Sequence, residues 1–349
     1  MSCKALTVIK TISVVGAAAI VGLCGAHAVK AERQSVDDVA ILRPWLQVDR
    51  NDRDKLARRG VVVRSLPAAD SQIGVIAACA VSVSTDAFLS RVRESADLRR
   101  AISRRFSDPP SLTDLAPLSL DQGDIDRLRR CRTGDCRLNL ADHEIGSMRL
   151  ALRDSNSGPS PAAQEAFRKV VLDRVNRYRS GGLQALPEYH DRADPVRPAA
   201  IFADILRQIP YLKVHAPGAA AYLERFPAND VDAADSSLLW TKVTMNDKPV
   251  VMVTHVAVFR TTPAVGVPSA LVARKQVYAS RYMNGDLMLT MLFSDAGGPP
   301  AYLLVINRSQ LDELTGMFSG MKRAAIEERV KDEATKALAA LREDLERGR

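Results

Sequence analysis

The chain of 349 residues is poor in aromatic side chains and in cysteine. Phe, Trp and Tyr together make up 5% of it, and there are five cysteines. The formal net charge is +8, but acidic residues alternate with the basic ones, as in EERVKDEATK. Such a mixture is typical of a solvated surface. With few aromatic residues and no recognition motif, we expect no nucleic-acid partner.

The motifs of common catalytic sites are also missing. The sequence has no G-x-S-x-G elbow, no H-E-x-x-H, no glycine-rich phosphate loop and no C-x-x-C-H haem site. We therefore expect no cofactor and no metal, and we assign no catalytic residue. His190 has Glu188, Asp191 and Asp194 nearby, which could polarise an imidazole as a general base. A polar loop between helices is the simpler interpretation.

Long apolar runs are absent after the N-terminus. There, Lys4 and Lys10 precede an apolar run from Thr11 to Cys24 and a small-residue triplet, Ala26-His27-Ala28. This order predicts a signal peptide at residues 1–28. The run is shorter than the roughly 20 residues of a bilayer span, although an uncleaved anchor is the alternative. We expect a bacterial protein that is periplasmic or secreted, with no integral membrane span after signal removal.

Export determines how the cysteines are interpreted. Cys131 and Cys136 flank a Thr-Gly-Asp turn, and in an oxidising compartment a disulfide between them would persist. Closing so short a loop is worth about 2 kcal/mol. A redox centre would need C-x-x-C, and a metal site using Asp135 or His143 has no second ligand pair nearby. Both remain alternatives, while Cys79, in an apolar run, is expected to be a buried thiol.

Hydrophobic periodicity divides the mature chain into a flexible leader and three regions. After the leader at residues 29–47, residues 48–104 contain a short helix, two Val- and Ile-rich strands and a helix beginning at Thr85. Residues 105–235 have helical patterns interrupted by prolines. Residues 236–349 are mainly β and end in a long helix. We interpret the first and last regions as one α+β domain and the middle region as a helical insertion.

The β region is predicted to be an antiparallel meander, because short connections join its consecutive strands. Two of these connections are Asn246-Asp247 and Asn284-Gly285, and the second is the strongest hairpin signal. The closing helix, from about Gly316 to Arg347, carries one apolar stripe. The stripe must bury against a partner. We expect the sheet, with a coiled coil as the alternative.

The order of elements resembles the START-like superfamily, which includes lipid-transfer domains and polyketide cyclases. VIAACAVSVSTDAFLSRVRESADL resembles the family's opening, and AYLLVINRSQLDELTGMFSGMKRAAIEERVKDEATKALAALRE resembles its close. The resemblance implies a helix-grip fold, in which an antiparallel sheet wraps around the long C-terminal helix. The region 105–235 is longer than the family's usual connection. Its C-x-x-x-x-C segment and the strand VYASRYM are also similar to those of exported bacterial proteins of no established function.

The resemblance also implies a cavity between the sheet and the final helix. Candidate ligand-binding residues there are Trp240, His255, Tyr278, Arg281 and Tyr282, which combine apolar area with polar tips. Strand alternation predicts Tyr278 and Tyr282 on one face and Arg281 on the other. For the two tyrosines, cross-strand packing is the alternative to a binding role.

We therefore expect an exported protein that binds a hydrophobic or amphipathic small molecule, such as a lipid. An alternative is a secreted enzyme of the cyclase or hydrolase type, using His255 or His190 with a carboxylate. A second alternative is an envelope protein that binds a protein partner through residues 105–235. The sequence identifies neither the ligand nor the oligomeric state.

Overall fold

The computed structural model describes most of the chain after its first 37 residues. The described residues are 38–69, 71–95, 102–136, 138–153, 161–228, 233, 235–294, 301–314 and 319–347. The signal peptide predicted at residues 1–28 lies outside them. None of the described helices is both long enough and apolar enough to cross a membrane.

One antiparallel sheet of eight strands forms the centre of the described protein. The strands are β1 (Val61–Leu66), β2 (Gln72–Val81), β3 (Ile102–Arg105), β4 (Asp235–Met245), β5 (Lys248–Arg260), β6 (Ala270–Ala279), β7 (Met283–Ser294) and β8 (Ala301–Leu311). Their order across the sheet is β1-β2-β8-β7-β6-β5-β4-β3. Strands β4 to β8 form the predicted meander, and β2 pairs with its last strand.

Helices cover both faces of the sheet. They are α1 (Arg50–Ala57), α2 (Thr85–Ser95), α3 (Gln122–Arg130), α4 (Asp142–Arg153), α5 (Pro161–Gly181), α6 (Pro198–Arg207), α7 (Pro210–His215), α8 (Pro217–Arg225) and α9 (Ser319–Arg347). Short 3-10 helices occur at Asp38–Leu42, Leu112–Leu115, Gly182–Ala185 and Asp312–Leu314. Helices α3 to α8 all belong to the region predicted as a helical insertion.

Alternate residues of each strand divide the core between the two faces, as strand geometry requires. The face that packs against α3 to α8, called the insertion face below, includes Ile76, Ala78, Val253, Leu289 and Leu304. The opposite face packs against α2 and α9 and includes Ala77, Cys79, Val256, Val272 and Leu303. The described protein therefore has three layers, and the predicted α+β class with a helical insertion is confirmed.

The apolar stripe of α9 lies on the sheet, so the sheet is its partner, as predicted. Leu338 and Leu345 are buried in one apolar cluster with residues of the sheet and with Phe88 of α2. Each such leucine contributes roughly 1.5–3 kcal/mol of burial free energy. Arg91 of α2 adds a two-pronged hydrogen bond to Asp344 of α9, at 2.8 and 3.0 Å. These contacts fix the two helices as one layer.

The connection between β6 and β7 differs from the prediction. Asn284 and Gly285, expected as the turn, lie inside β7. The chain reverses at residues 280–282, where Tyr282 has a φ of 67°. A Cβ atom on Gly285 would lie 2.6 Å from Cγ2 of Ile201 on α6. The glycine thus allows a helix to approach the strand closely, which is another reason for a glycine within a strand.

The other predicted turn forms as expected. Asn246 and Asp247 join β4 to β5, and their φ angles of 49° and 56° are both positive. A two-residue hairpin of type I′ requires this at both central positions. Asn and Asp are the residues other than glycine that adopt this conformation most readily.

The sulfur atoms of Cys131 and Cys136 lie at disulfide distance, as predicted. The loop between them is held against the segment before α6, because the amides of Gly134 and Cys136 donate to the carbonyls of His190 and Asp191, at 2.8 and 2.9 Å. The pair is compatible with an extracytoplasmic location. Cys79 is buried, and desolvation raises the pKa of its thiol to about 12.

Candidate functional site

Four of the five predicted ligand-binding residues are buried within the protein. Trp240 on β4 is fully buried, and its indole Nε1 donates to the carbonyl of Asp114 at 2.9 Å. Arg281 is 3% exposed and pairs with Asp124 on α3. Desolvation raises the pKa of Asp124, although the neighbouring guanidinium acts in the opposite direction. These side chains link the sheet to the insertion.

His255 lies on the insertion face, surrounded by hydroxyl groups. Its Nδ1 is 2.7 Å from the hydroxyl oxygen of Tyr178, and its Nε2 is 2.8 Å from Oγ of Ser236. The hydroxyl of Tyr222 donates to the same serine at 2.8 Å. Burial, reinforced by the cation of Lys275, lowers the pKa of His255 to about 3. Among the described residues no carboxylate contacts this imidazole.

Lys275 is directly opposite His255 in the pairing of β5 with β6. It is 2% exposed, and its Nζ donates to the carbonyl of Leu223 at 3.1 Å. The ammonium group lies 4.7 Å from the ring centroid of Phe202 and 5.1 Å from that of Tyr178. Aromatic faces stabilise a cation at such distances. Desolvation nevertheless lowers the pKa of Lys275 to about 7.

Tyr278 stacks on a buried ion pair that the sequence did not reveal. Arg174 on α5 donates from Nε to Glu144 on α4 at 2.8 Å and is completely buried. Its guanidinium carbon lies 4.4 Å from the ring centroid of Tyr278 and 4.9 Å from that of Tyr189. Desolvation raises the pKa of both tyrosines, for Tyr189 to about 12. We interpret this buried ion pair and the two tyrosine rings as part of the structural core.

The predicted distribution of the side chains at the end of β6 between the two faces of the sheet was wrong. Tyr278 and Arg281 both contact the insertion, whereas Tyr282 packs in a small cluster with Val250 and Met283. Alternation fails here because β6 ends at Ala279 and the chain turns. The binding role proposed for these residues stays a prediction.

A cavity of about 520 Å³ opens elsewhere, on the insertion face beside β1, β2 and β8. This volume lies within the range of ligand pockets. Its outer wall is formed by residues 208–211, which join α6 to α7 and begin α7, and Tyr211 there is 48% exposed. None of the five predicted residues and no residue of α9 lines it. The lining residues are Trp45, Leu66, Pro67, Ala68, Ile76, Gln208, Ile209, Pro210, Tyr211, Ile306 and Arg308.

Trp45 forms one aromatic wall of the cavity. Its Nε1 donates to the carbonyl of Gly266 at 2.8 Å, and its ring lies 6.3 Å from that of Tyr211. Gly266 has a φ of 75°, and a Cβ there would lie 2.5 Å from Cγ of Pro44. Trp45 belongs to the segment predicted as a flexible leader, yet its side chain is only 6% exposed. The end of that segment is therefore part of the cavity.

Arg308 on β8 is the one charged residue among the described residues of the lining. It is 4% exposed, and within the described chain it forms no ion pair with a carboxylate. Its Nη1 donates to the carbonyl of Pro67 at 2.9 Å and to Oε1 of Gln208 at 2.8 Å. Its Nε is buried and has no hydrogen-bond partner in the described protein. Desolvation lowers the pKa of Arg308 without neutralising it.

The sequence around Arg308 makes room for a large cation. Gly74 on β2 is its direct cross-strand partner, and a Cβ on Gly74 would lie 3.0 Å from Nη1 of Arg308. This site was not predicted from the sequence. The available signal was a charged residue two positions after Ile306, on a face of β8 whose preceding residues are apolar or aromatic and buried.

Other chemistry is limited in the described residues. No group of three or more His, Cys, Asp or Glu side chains there could hold a metal ion. His190 is the other histidine considered as a general base, and two of its three carboxylate neighbours are paired elsewhere, Glu188 with Arg197 and Asp191 with Arg192. Comparison of the chain with protein-family models, curated proteins and solved structures finds no match.

Proposed function

We propose that this protein binds a small amphipathic molecule in the cavity beside β1, β2 and β8. The observation that carries the proposal is a cavity of about 520 Å³ with mainly apolar and aromatic walls and a single buried cation, Arg308. Ligand pockets combine apolar lining with a few placed polar groups in this way. Leu66, Ile76 and Ile306 would contact the apolar part of the ligand.

We include in the same proposal that the protein is exported and that it is related to the START-like superfamily. The disulfide-distance pair and the signal-like N-terminus support export to the periplasm or the exterior. The strand, helix, insertion, meander and final helix occur in the order that suggested the START-like superfamily. A binding protein of this kind would carry an amphipathic molecule through the cell envelope.

Native mass spectrometry tests the proposal directly. The mature protein is purified from the periplasm without detergent, and its bound molecules are identified by organic extraction. We expect a stoichiometric amphipathic ligand. A clean apo mass that persists after incubation with mixed lipid extract would overturn the proposal and favour the enzymatic or partner-binding alternatives.

Two variants of neighbouring alanines locate the ligand. Ala68 lines the cavity, so Ala68→Trp should fill it and abolish the co-purified ligand. Ala69 is exposed and does not line the cavity, so Ala69→Trp should leave the ligand content unchanged. Equal ligand content in the two variants would place the ligand elsewhere.

A further inference from the structure

Arginines elsewhere in this protein show how it binds carboxylates. Arg91 uses Nε and Nη2 to hold the two oxygens of Asp344, at 3.0 and 2.8 Å. Arg174 uses the same two nitrogens to hold both oxygens of Glu144. This edge of the guanidinium matches the spacing and the plane of a carboxylate.

In Arg308 the same edge is not used. Within the described residues, Nη1 makes all of its hydrogen bonds, to Pro67 and Gln208, and both acceptors are neutral oxygens. Nε is buried without a partner, and the residue lines the cavity. The hydrogen bonds of Nη1 fix the plane of the guanidinium. Nη2 is not buried, so it is the nitrogen of this edge that is left for an anion in the cavity, and its orientation is preorganised.

The charge at this position also favours one class of anion. A desolvated cation is costly unless an opposite charge compensates it. Among the described residues Arg308 is the only charged one of the lining, so it balances a single negative charge. A second negative charge on the ligand would be desolvated without compensation. The site thus suits a monoanion better than a dianion.

We propose that the cavity binds an amphiphile whose polar end is a single carboxylate that accepts a hydrogen bond from Nη2 of Arg308, with its apolar chain against Trp45 and Ile306. This inference rests on the proposed function and deepens it by naming the ligand class. Gln208, which holds Nη1, acts as a positioning residue.

Isothermal titration of the mature full-length protein with three matched probes tests the inference. The probes are dodecanoate, dodecanol and dodecylphosphate, each below its critical micelle concentration. Since a charge-assisted hydrogen bond is stronger than a neutral one, dodecanoate should bind about 10- to 100-fold more tightly than dodecanol. Dodecylphosphate should bind less tightly than dodecanoate.

Variants assign the preference to Arg308. Arg308→Met should abolish the preference for dodecanoate over dodecanol. Arg308→Lys keeps the charge but loses the planar guanidinium, and it should retain part of the preference. Arg149→Met removes the same charge from an exposed position of α4 that does not line the cavity, and it should leave the preference intact. Circular dichroism checks that the variants fold. If Arg308→Met does not fold, the preference is compared between wild type and Arg308→Lys.

The outcomes separate this inference from the proposed function. Equal binding of dodecanoate and dodecanol, or a preference that survives in Arg308→Met, would overturn the carboxylate assignment and leave cavity binding in place. Tighter binding of dodecylphosphate would overturn it in favour of a phosphate end. If none of the probes binds and no molecule co-purifies, the proposed function itself fails.

Discussion

His255 and Lys275 face each other across β5 and β6, and both side chains are buried against the insertion. Neither has a carboxylate partner among the described residues. Tyr178 connects them, since its hydroxyl contacts the imidazole and its ring lies beneath the ammonium group. Two basic groups are thus held in a setting that favours their neutral forms, and this makes the stability of the protein depend on pH.

Lys275 should make the protein more stable as the pH rises above 7. Its pKa is about 7 in the folded protein and 10.5 ordinarily, so between these values the unfolded chain binds more protons. The slope for one proton approaches about 1.4 kcal/mol per pH unit. We expect the free energy of unfolding, measured by urea denaturation, to rise between pH 7 and pH 8.5. In Lys275→Met this contribution should disappear.

The difference between wild type and Lys275→Met isolates that contribution. Cys79, whose pKa is raised in the folded state, acts in the opposite direction at higher pH, but it is present in both proteins. Parallel stability curves for wild type and variant would contradict the prediction.

His255 should make the protein less stable in acid. The folded protein keeps the imidazole neutral down to a pKa of about 3, whereas the unfolded chain gains a proton below about 6.5. Stability should therefore fall as the pH drops from 6.5 towards 3. Guanidinium denaturation at pH 7 and pH 4.5 measures this loss, which should be smaller in His255→Phe.

At pH 7 the same variant should be less stable than wild type. Replacing His255 leaves the buried hydroxyl of Tyr178 without its partner, and such a loss costs roughly 1–3 kcal/mol, whereas Ser236 keeps its hydrogen bond from Tyr222. A His255→Phe protein as stable as wild type at pH 7 would show that the hydrogen bond between Tyr178 and His255 contributes nothing.

The ion pair of Arg174 with Glu144 should tolerate loss of both partners better than loss of one. Glu144→Gln leaves a buried guanidinium without its counter-charge, which costs about 3–5 kcal/mol. The double variant with Arg174→Met should recover much of this stability. Asp173 and Arg177, an exposed pair on the same helix, provide the control. Asp173→Asn should cost less than about 1 kcal/mol in the same thermal denaturation assay.

Much of the fold could be predicted from local sequence. Val- and Ile-rich runs predicted β1 and β2, prolines marked the breaks between helices, and Asn246-Asp247 predicted a turn, because these features act within a few residues. The predicted partner of the α9 stripe was also correct. A long amphipathic helix after a sheet has few other apolar surfaces to bury against.

The cavity could not be predicted in the same way. Trp45, Gln208 and Arg308 lie far apart in the chain, and they meet because the insertion packs on the opposite face of the sheet from α9. From the resemblance, we expected the cavity between the sheet and α9. Nothing local to Tyr278 or His255 distinguished a ligand contact from a buried contact with a helix.

The role of Gly285 also could not be predicted from local sequence, and it can be tested by substitution. Gly285→Ala would place a methyl group 2.6 Å from Cγ2 of Ile201, so either α6 or β7 must shift. Such overpacking costs typically about 1–3 kcal/mol, and thermal denaturation should show the loss. Ile201→Ala in the same chain removes the clashing atom. If close approach of the helix explains the glycine, Gly285→Ala should then destabilise the Ile201→Ala protein far less than it destabilises wild type. An equal loss in both backgrounds would mean that the glycine is needed for the irregular pairing at the start of β7, between Met283 and Gly285.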